Sequence, residues 1–419
     1  MLEGGLGVMN RMEQVSLEIA GLLKSSALRY YVFHIDICNF RTINHLYGYS
    51  AGDELLSRTA EFIKTLPSCI YSRRGYADQF IFVIETDLPL SEELLYRFHR
   101  YSHNFVRSFA SLRGLNLFFW CGVSEINNRK DVIAAFELAN VARIKAKREK
   151  RFIGYIATEK FLRKLSRNDE LIRQCSRALR KEEFFFHLQP QVDMKSGAIV
   201  SAEALARLKI DGEFVSPEEF IPVLESNGLV VDLDHMILRQ VCEYLCGRRD
   251  RGESLFPISV NLSSIHLSIP NSSEKLSEMI REYDLPNELF CFEITEYNVI
   301  QSFARAANYN RTQQACGFKT SVDDFGSGYT GLNIIRKIPI SEVKLDKSFL
   351  DDSGDAHTAF RNRSILSAIY RLTQDLGIKV VCEGVETEEQ RKMLVDIGYR
   401  FGQGFYFHRP CDPEKLRIS

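Results

Sequence analysis

From Phe184 onward the chain runs through eight short apolar stretches of strand type, most of them closing on polar groups. They read Phe184 to Gln189, Ile199 to Arg207, Pro257 to Leu262, Phe290 to Thr295, Lys319 to Asp324, Glu342 to Asp346, Lys379 to Val385 and Gly404 to Phe407. Helical spacing marks Pro217 to Ser226, Asp232 to Arg248, Lys275 to Tyr283, Phe303 to Ala315, Arg361 to Leu376 and Glu388 to Ile397 between them. Eight strands with intervening helices over roughly 235 residues predict a (β/α)8 barrel. One connection breaks that plan. Pro190 to Ala198 is too short for a crossover helix, which takes a dozen or more residues. The first strand is therefore expected to run antiparallel to the second.

At 419 residues the chain exceeds one ordinary core, so a second domain is expected ahead of the barrel. There, strand patterns at Tyr30 to Ile37, Cys69 to Ser72, Gln79 to Glu85, Leu115 to Val123 and Phe152 to Ile156 alternate with helical ones at Arg41 to Leu66, Ser91 to Ala110 and Asp131 to Lys150. With one hairpin among them, these predict an α/β sandwich whose sheet is mainly antiparallel. The basic run from Arg143 to Arg151 reads as a solvated helix end. His99 and His103 lie four apart on a helix, but no acid completes a ligand set. The expected boundaries are 1–156 for the first domain, 157–181 for a helical connector and 182–419 for the barrel.

A formal net charge of -1 argues against a long polyanion such as nucleic acid as partner, while allowing a small phosphate ligand held locally. The ten cysteines are scattered without a CxxC pair, which suits a reducing cytoplasm. No apolar run approaches the roughly 20 residues of a membrane span, so a soluble, cytoplasmic chain is expected.

The stretch Ser321-Val322-Asp323-Asp324-Phe325-Gly326-Ser327-Gly328-Tyr329 sets two adjacent carboxylates at the close of a buried strand pattern. Because side chains alternate across a strand, Asp323 and Asp324 share a site only at its frayed end. An isolated pair of this kind is more often a helix cap. The other strand ends argue otherwise: they carry Glu203, Asn261, Glu293, Lys344, and Glu383 with Glu386. Six acids on one rim raise one another's pKa at a cost that a cation removes. Oxygen-only ligands point to Mg²⁺ or Mn²⁺ rather than zinc. Two such ions activate water and stabilise both oxygens of a phosphoryl displacement. Arg207, on the strand of Glu203, offers a fork to phosphate.

These residues resemble the EAL domain, the cyclic-di-GMP phosphodiesterase family, over nearly all of Glu182 to Pro410. The name motif is Glu203-Ala204-Leu205, continued by Ala206-Arg207. Leu188-Gln189-Pro190, Val260-Asn261-Leu262-Ser263, Glu293-Ile294-Thr295-Glu296, Asp323-Asp324-Phe325-Gly326, Lys344-Leu345-Asp346, Glu383-Gly384-Val385-Glu386 and Gln403-Gly404 match its other signatures. The resemblance implies Glu203, Asn261, Glu293 and Asp323 around one metal, with Asp323 bridging to a second beside Asp324. It implies that Lys344 orients metal-bound water, that Glu383 moves protons or holds the second ion through water, and that Gln403 helps place that water. Glu386 joins Glu383 among the catalytic candidates. Gln189 and Arg207 are expected to hold substrate, and Glu296 to anchor the loop from Phe325 to Leu332. The implied activity opens cyclic di-GMP to linear pGpG, in a barrel that pairs into a homodimer. A non-catalytic cyclic-di-GMP receptor is the alternative.

The first 155 or so residues resemble a GGDEF, or diguanylate cyclase, domain through Asp36-Ile37-Cys38-Asn39-Phe40-Arg41-Thr42-Ile43-Asn44, Tyr47-Gly48 and Gly52-Asp53. The resemblance implies metal at Asp36, with Asp78 as a second candidate, and guanine read by Asn44 and Asp53. Lys147 and Arg151 match phosphate-binding positions, so GTP is a candidate allosteric ligand. The signature hairpin, however, reads Tyr76-Ala77-Asp78-Gln79-Phe80 where the family has Gly-Gly-Asp/Glu-Glu-Phe. Tyr76 puts a ring where glycine lets phosphate approach, and Gln79 and Cys38 replace family acids. A degenerate domain without cyclase activity, in a regulatory or dimerisation role, is expected.

Overall fold

The computed structural model describes residues 11–23, 28–109, 117–128, 130–301, 303–326, 331–350 and 356–417. The chain divides into two compact units, Met1–Arg167 and Asn168–Ser419.

In the first unit, strands β1 (Arg29–Ile37), β2 (Cys69–Arg74), β3 (Gln79–Thr86), β4 (Phe119–Glu125) and β5 (Tyr155–Ile156) form one sheet in the order β2-β3-β1-β4-β5. Every pairing is antiparallel except β4 with β5. Central β1 is buried from Tyr30 to Ile37 because helices cover both its faces. Tyr31, Phe33, Ile35 and Ile37 join a cluster with Leu55 and Ile63 of the helix Phe40–Thr65 and Leu94 and Phe98 of the helix Glu92–Arg107. Tyr30 and Val32 point the other way, to Val132, Phe136 and Ala139 of the helix Val132–Arg148. Alternation carries His34 and Asp36 to that second face as well. Gly122 on β4 lets this helix lie against the sheet, since a Cβ there would sit 2.0 Å from the Ala139 carbonyl and 2.3 Å from the Arg143 nitrogen. The expected strand from Leu115 begins at Phe119, and 110–116 lie outside the described residues.

A helix, Glu159–Arg180, runs across the division, and its Leu171, Cys175 and Ala178 enter the core of the second unit. There β6 (Phe185–Asp193) pairs antiparallel with β7 (Ile199–Ile210), as the short connection requires. From β7 the ring continues in parallel through β9 (Ile258–Asn261), β10 (Phe290–Thr295), β11 (Lys319–Phe325), β12 (Glu342–Leu345), β13 (Lys379–Cys382) and β14 (Phe401–Gly402). Pairing of β14 with β6 closes it, and β8 (Glu213–Val215) extends β7 as a hairpin.

The last strand is Phe401–Gly402, not Gly404 to Phe407 as expected. Residues 404–407 form a turn in which the Phe407 and His408 amides donate to the Gly404 carbonyl. The aromatic run there imitates strand composition, but such preference reflects side-chain packing more than backbone tendency. Among the described residues no helix is long and apolar enough to cross a membrane.

Candidate active site

The barrel strands sort their side chains by alternation. Ile258 and Val260 of β9, Phe290, Phe292 and Ile294 of β10, Val322 of β11, and Val343 and Leu345 of β12 belong to the apolar core. Asn261, Glu293, Asp323 and Lys344 fall on the other face. Parallel register sets Glu293 level with Asn261 and with Ser321, and Asp323 one pleat further along, beside Thr295. Glu203 on β7 lies opposite Gln189 on β6.

Strict alternation would send Asp324 away from Asp323. Strand β11 does not fray to avoid this; it runs on to Phe325 with a register shift against β12 between Val322 and Phe325. Asp324 takes φ 55° within that bulge, a left-handed conformation that aspartate tolerates better than most residues. The bulge brings both carboxylates to one place.

Lys344 stands at the centre, fully buried. Its Nζ lies 2.9 Å from Glu203 Oε2, 2.8 Å from Glu293 Oε2, 3.3 Å from Asp323 Oδ1 and 2.8 Å from Glu383 Oε1. Burial opposes the Lys344 charge, but the carboxylates of Asp323, Glu203, Glu293 and Glu383 outweigh it and hold the ammonium's pKa well above its ordinary value. One positive charge does not balance four negative ones. Burial and the neighbouring Glu203 push Glu293 well above the carboxylate range. Burial, with Asp323 and Glu203 adding repulsion against the pull of Lys344, raises Glu383 to about 8. For Glu203, burial is overcome by Lys344 and by hydrogen bonds from Gln403, Lys344 and Asn261, so its pKa is lowered. Gln403 Nε2 donates to Glu203 Oε2 at 2.6 Å and Asn261 Nδ2 to Glu203 Oε1 at 2.8 Å.

The donor set fits divalent cations. Glu203, Glu293 and Asp323 offer oxygens within 4.8 Å of one another, and so do Asp323, Asp324 and Glu383. Asp323 belongs to both groups. Glu293 Oε1 is buried without a hydrogen-bond partner among the described residues, an acceptor left over for a ligand to satisfy. Oxygen donors alone suit hard ions such as Mg²⁺ or Mn²⁺.

A cleft of about 270 Å³ opens beside these acids, lined by Gln189, Asp324, Asp346, Lys347, Glu383, Gly384, Glu386, Gln403, Gly404 and Phe405. The EAL sequence profile matches residues 172–410. The chain belongs to the EAL domain family. The profile of the diguanylate cyclase GGDEF domain matches residues 8–152, ahead of the EAL domain. The signaling protein YkoW of Bacillus subtilis is 28% identical over 423 residues, covering 97% of this chain and 51% of that protein. The bifunctional diguanylate cyclase/cyclic di-GMP phosphodiesterase MucR of Pseudomonas aeruginosa is 29% identical over 407 residues, covering 93% of this chain and 57% of MucR. The chain thus spans a little over half the length of these relatives. A solved structure described as the PaMucR phosphodiesterase in complex with c-di-GMP matches with TM-score 0.55 and 30% identity, covering 59% of this chain and 100% of that one.

Around the acids of the EAL domain the other expected residues take distinct places. Gln189 lines the cleft, its Oε1 accepting from Gln403 Nε2 at 3.2 Å. Glu386 lines the mouth outside the ring of carboxylates on Lys344. Glu296 Oε2 accepts from the Gly326 amide at 2.7 Å; 327–330, within the stretch it was expected to anchor, lie outside the described residues. Arg207 is half-buried, donates to the Ala206 carbonyl, and has its pKa lowered by burial against the pull of Glu203. Lys347 figures in no expected site, and Asp346 only as the close of the Lys344-Leu345-Asp346 signature, yet both line the cleft.

In the first unit Lys147 and Arg151 are engaged by different acids. Lys147 Nζ lies 2.9 Å from Asp36 Oδ2, whereas Arg151 Nη2 lies 2.7 Å from Glu92 Oε2 and its guanidinium covers the Tyr155 ring. Asn44 Oδ1 is buried without a hydrogen-bond partner among the described residues, Asp53 is exposed, and Tyr76 is 85% exposed.

Proposed function

We propose that the EAL domain hydrolyses cyclic di-GMP to linear pGpG with two Mg²⁺ or Mn²⁺ ions. The observation that carries this reading is the pair of three-carboxylate groups sharing Asp323 at the C-terminal ends of the barrel strands. Glu203, Asn261, Glu293 and Asp323 would hold one ion; Asp323, Asp324 and Glu383 would hold the second. Such ions, when bound, supply the Lewis acidity that activates water and offsets charge on phosphoryl oxygens.

The protein's own groups account for the rest. Lys344, bonded to four carboxylates, fixes their oxygens and leaves an ammonium beside the reacting phosphate. Glu383, raised to about 8, is suited to take or return a proton near neutral pH. Gln403 orients Glu203. Gln189 on the cleft wall would meet a guanine edge, and Arg207 a phosphate. Glu296 holds the backbone at Gly326. The PaMucR complex, a phosphodiesterase with c-di-GMP bound, supports the choice of substrate.

The first unit, on the same reading, makes no cyclic di-GMP and acts in regulation or dimerisation. Its support is Tyr76-Ala77 and Gln79 in the hairpin, where Gln79 Oε1 lies 3.3 Å from His34 Nε2 instead of offering a carboxylate. Incubation of the full chain with cyclic di-GMP and Mg²⁺ or Mn²⁺, followed by separation of products, tests the proposal. Linear pGpG is expected, and none in EDTA. Tight binding of uncleaved cyclic di-GMP with both ions supplied would overturn hydrolysis in favour of a receptor.

A further inference from the structure

The likeness of the first unit to cyclase domains implies a divalent ion at Asp36, and the residues around Asp36 do not fit one. Asp36 is buried, and its Oδ2 accepts from Arg143 Nη1 at 2.5 Å and from Lys147 Nζ at 2.9 Å. Arg143 is itself buried, and its Nε and Nη2 donate to Asn140 Oδ1 at 3.2 and 2.8 Å. A guanidinium gripped by two partners in a fixed fork is not a side chain that swings aside. The packing of its helix on Gly122 fixes its backbone there, the Arg143 main-chain nitrogen lying 2.3 Å from the place a Gly122 Cβ would fill.

We propose that Arg143, with Lys147 beside it, takes the place of a divalent cation at Asp36, so that the first unit is closed to metal. An incoming ion would meet two positive charges on Oδ2 and find only Oδ1, buried without a hydrogen-bond partner among the described residues, left to it. The other groups on this face do not compensate. Gln79 is uncharged, and its Oε1 lies 3.3 Å from His34 Nε2. Among the described residues, both groupings of three or more metal donors lie in the second unit. Lys147, with 53% of its side chain exposed, is what this place presents to solvent. An anionic group arriving there meets an ammonium rather than a metal ion.

The test uses Trp120, the chain's only tryptophan, which lies directly across from Asp36 in the pairing of β1 with β4. Tb³⁺, a hard oxygen-seeking probe, luminesces when a nearby indole passes it energy, and excitation at the red edge of the tryptophan band leaves tyrosine silent. The full chain is titrated with Tb³⁺ as wild type, as Arg143→Leu, and as Arg143→Leu with Asp36→Asn. The double variant removes both charges together and leaves no unpaired guanidinium. Wild type is expected to match the double variant, while Arg143→Leu gains a saturable, severalfold signal. A wild-type signal that the double variant lacks would overturn the proposal. So would an Arg143→Leu chain with unchanged near-ultraviolet circular dichroism and no gain. Should Arg143→Leu not fold, wild type against the double variant still decides. The outcome is independent of whether the barrel binds metal or hydrolyses anything, since neither substitution touches the second unit.

Discussion

Loading the barrel with metal should expel protons, and the number follows from Glu383. With a pKa raised to about 8, its carboxyl is roughly nine-tenths protonated at pH 7 and about one-tenth at pH 9. A cation taking Asp323, Asp324 and Glu383 needs the anion. Binding at pH 7 therefore releases close to one proton from Glu383, and Glu293, also raised, adds to it. Because these groups are coupled, the protons belong to the cluster as a whole. The Glu383 proton alone should raise apparent affinity for Mn²⁺ roughly tenfold per pH unit between about pH 6 and pH 8, and any proton from Glu293 steepens that rise.

The sign for stability is the reverse. A carboxyl whose folded pKa lies above its unfolded value binds more protons when folded, so in EDTA the chain loses stability as pH rises from about 4.5 to about 8. Calorimetry of Mn²⁺ binding in two buffers with different ionisation enthalpies measures the protons directly, and Glu383→Gln should lower the count. Equal heats in both buffers at pH 7, with binding intact, would refute the reasoning.

Asp323→Ala should abolish pGpG formation in Mg²⁺ or Mn²⁺, and Ca²⁺ should inhibit the wild type because it takes longer bonds and looser geometry; product analysis checks both. Lys344→Met strips the counter-charge from four carboxylates and should destabilise the chain in EDTA by about 3–5 kcal/mol. Denaturant titration with and without Mn²⁺ should show part of that loss recovered by the ion. The full chain should form no cyclic di-GMP from GTP, measured with Asp323→Ala in place so that hydrolysis does not hide a product.

Much of the barrel was legible because its strands close on groups that burial alone does not explain, and loop length alone set the direction of the first strand. The acids of the site were equally readable at Glu203, Glu293 and Asp323, one to a strand. What was not readable depended on distance. Read from the residues alone, Lys344 is one more polar strand end and its role came only with the resemblance, whereas its four carboxylate partners come from four other segments. Adjacent Asp323 and Asp324 implied a frayed end, but a bulge and one left-handed residue meet the same need with the strand intact. Arg143 opened a basic run that looked solvated, yet it is buried on a partner 107 positions earlier. The aromatic Phe405 to Phe407 carried strand composition into a turn.

Lys344 also bears on how the barrel lives before it works. A domain held together by its metal cannot exist without it, as small zinc-dependent folds show. Here a strand brings its own positive charge into the ring of acids. On the proposed two-ion reading, a newly made chain would fold ahead of its ions and be charged later. Withdrawal of the ions would silence the site without dismantling it. The centre is a socket, not a keystone.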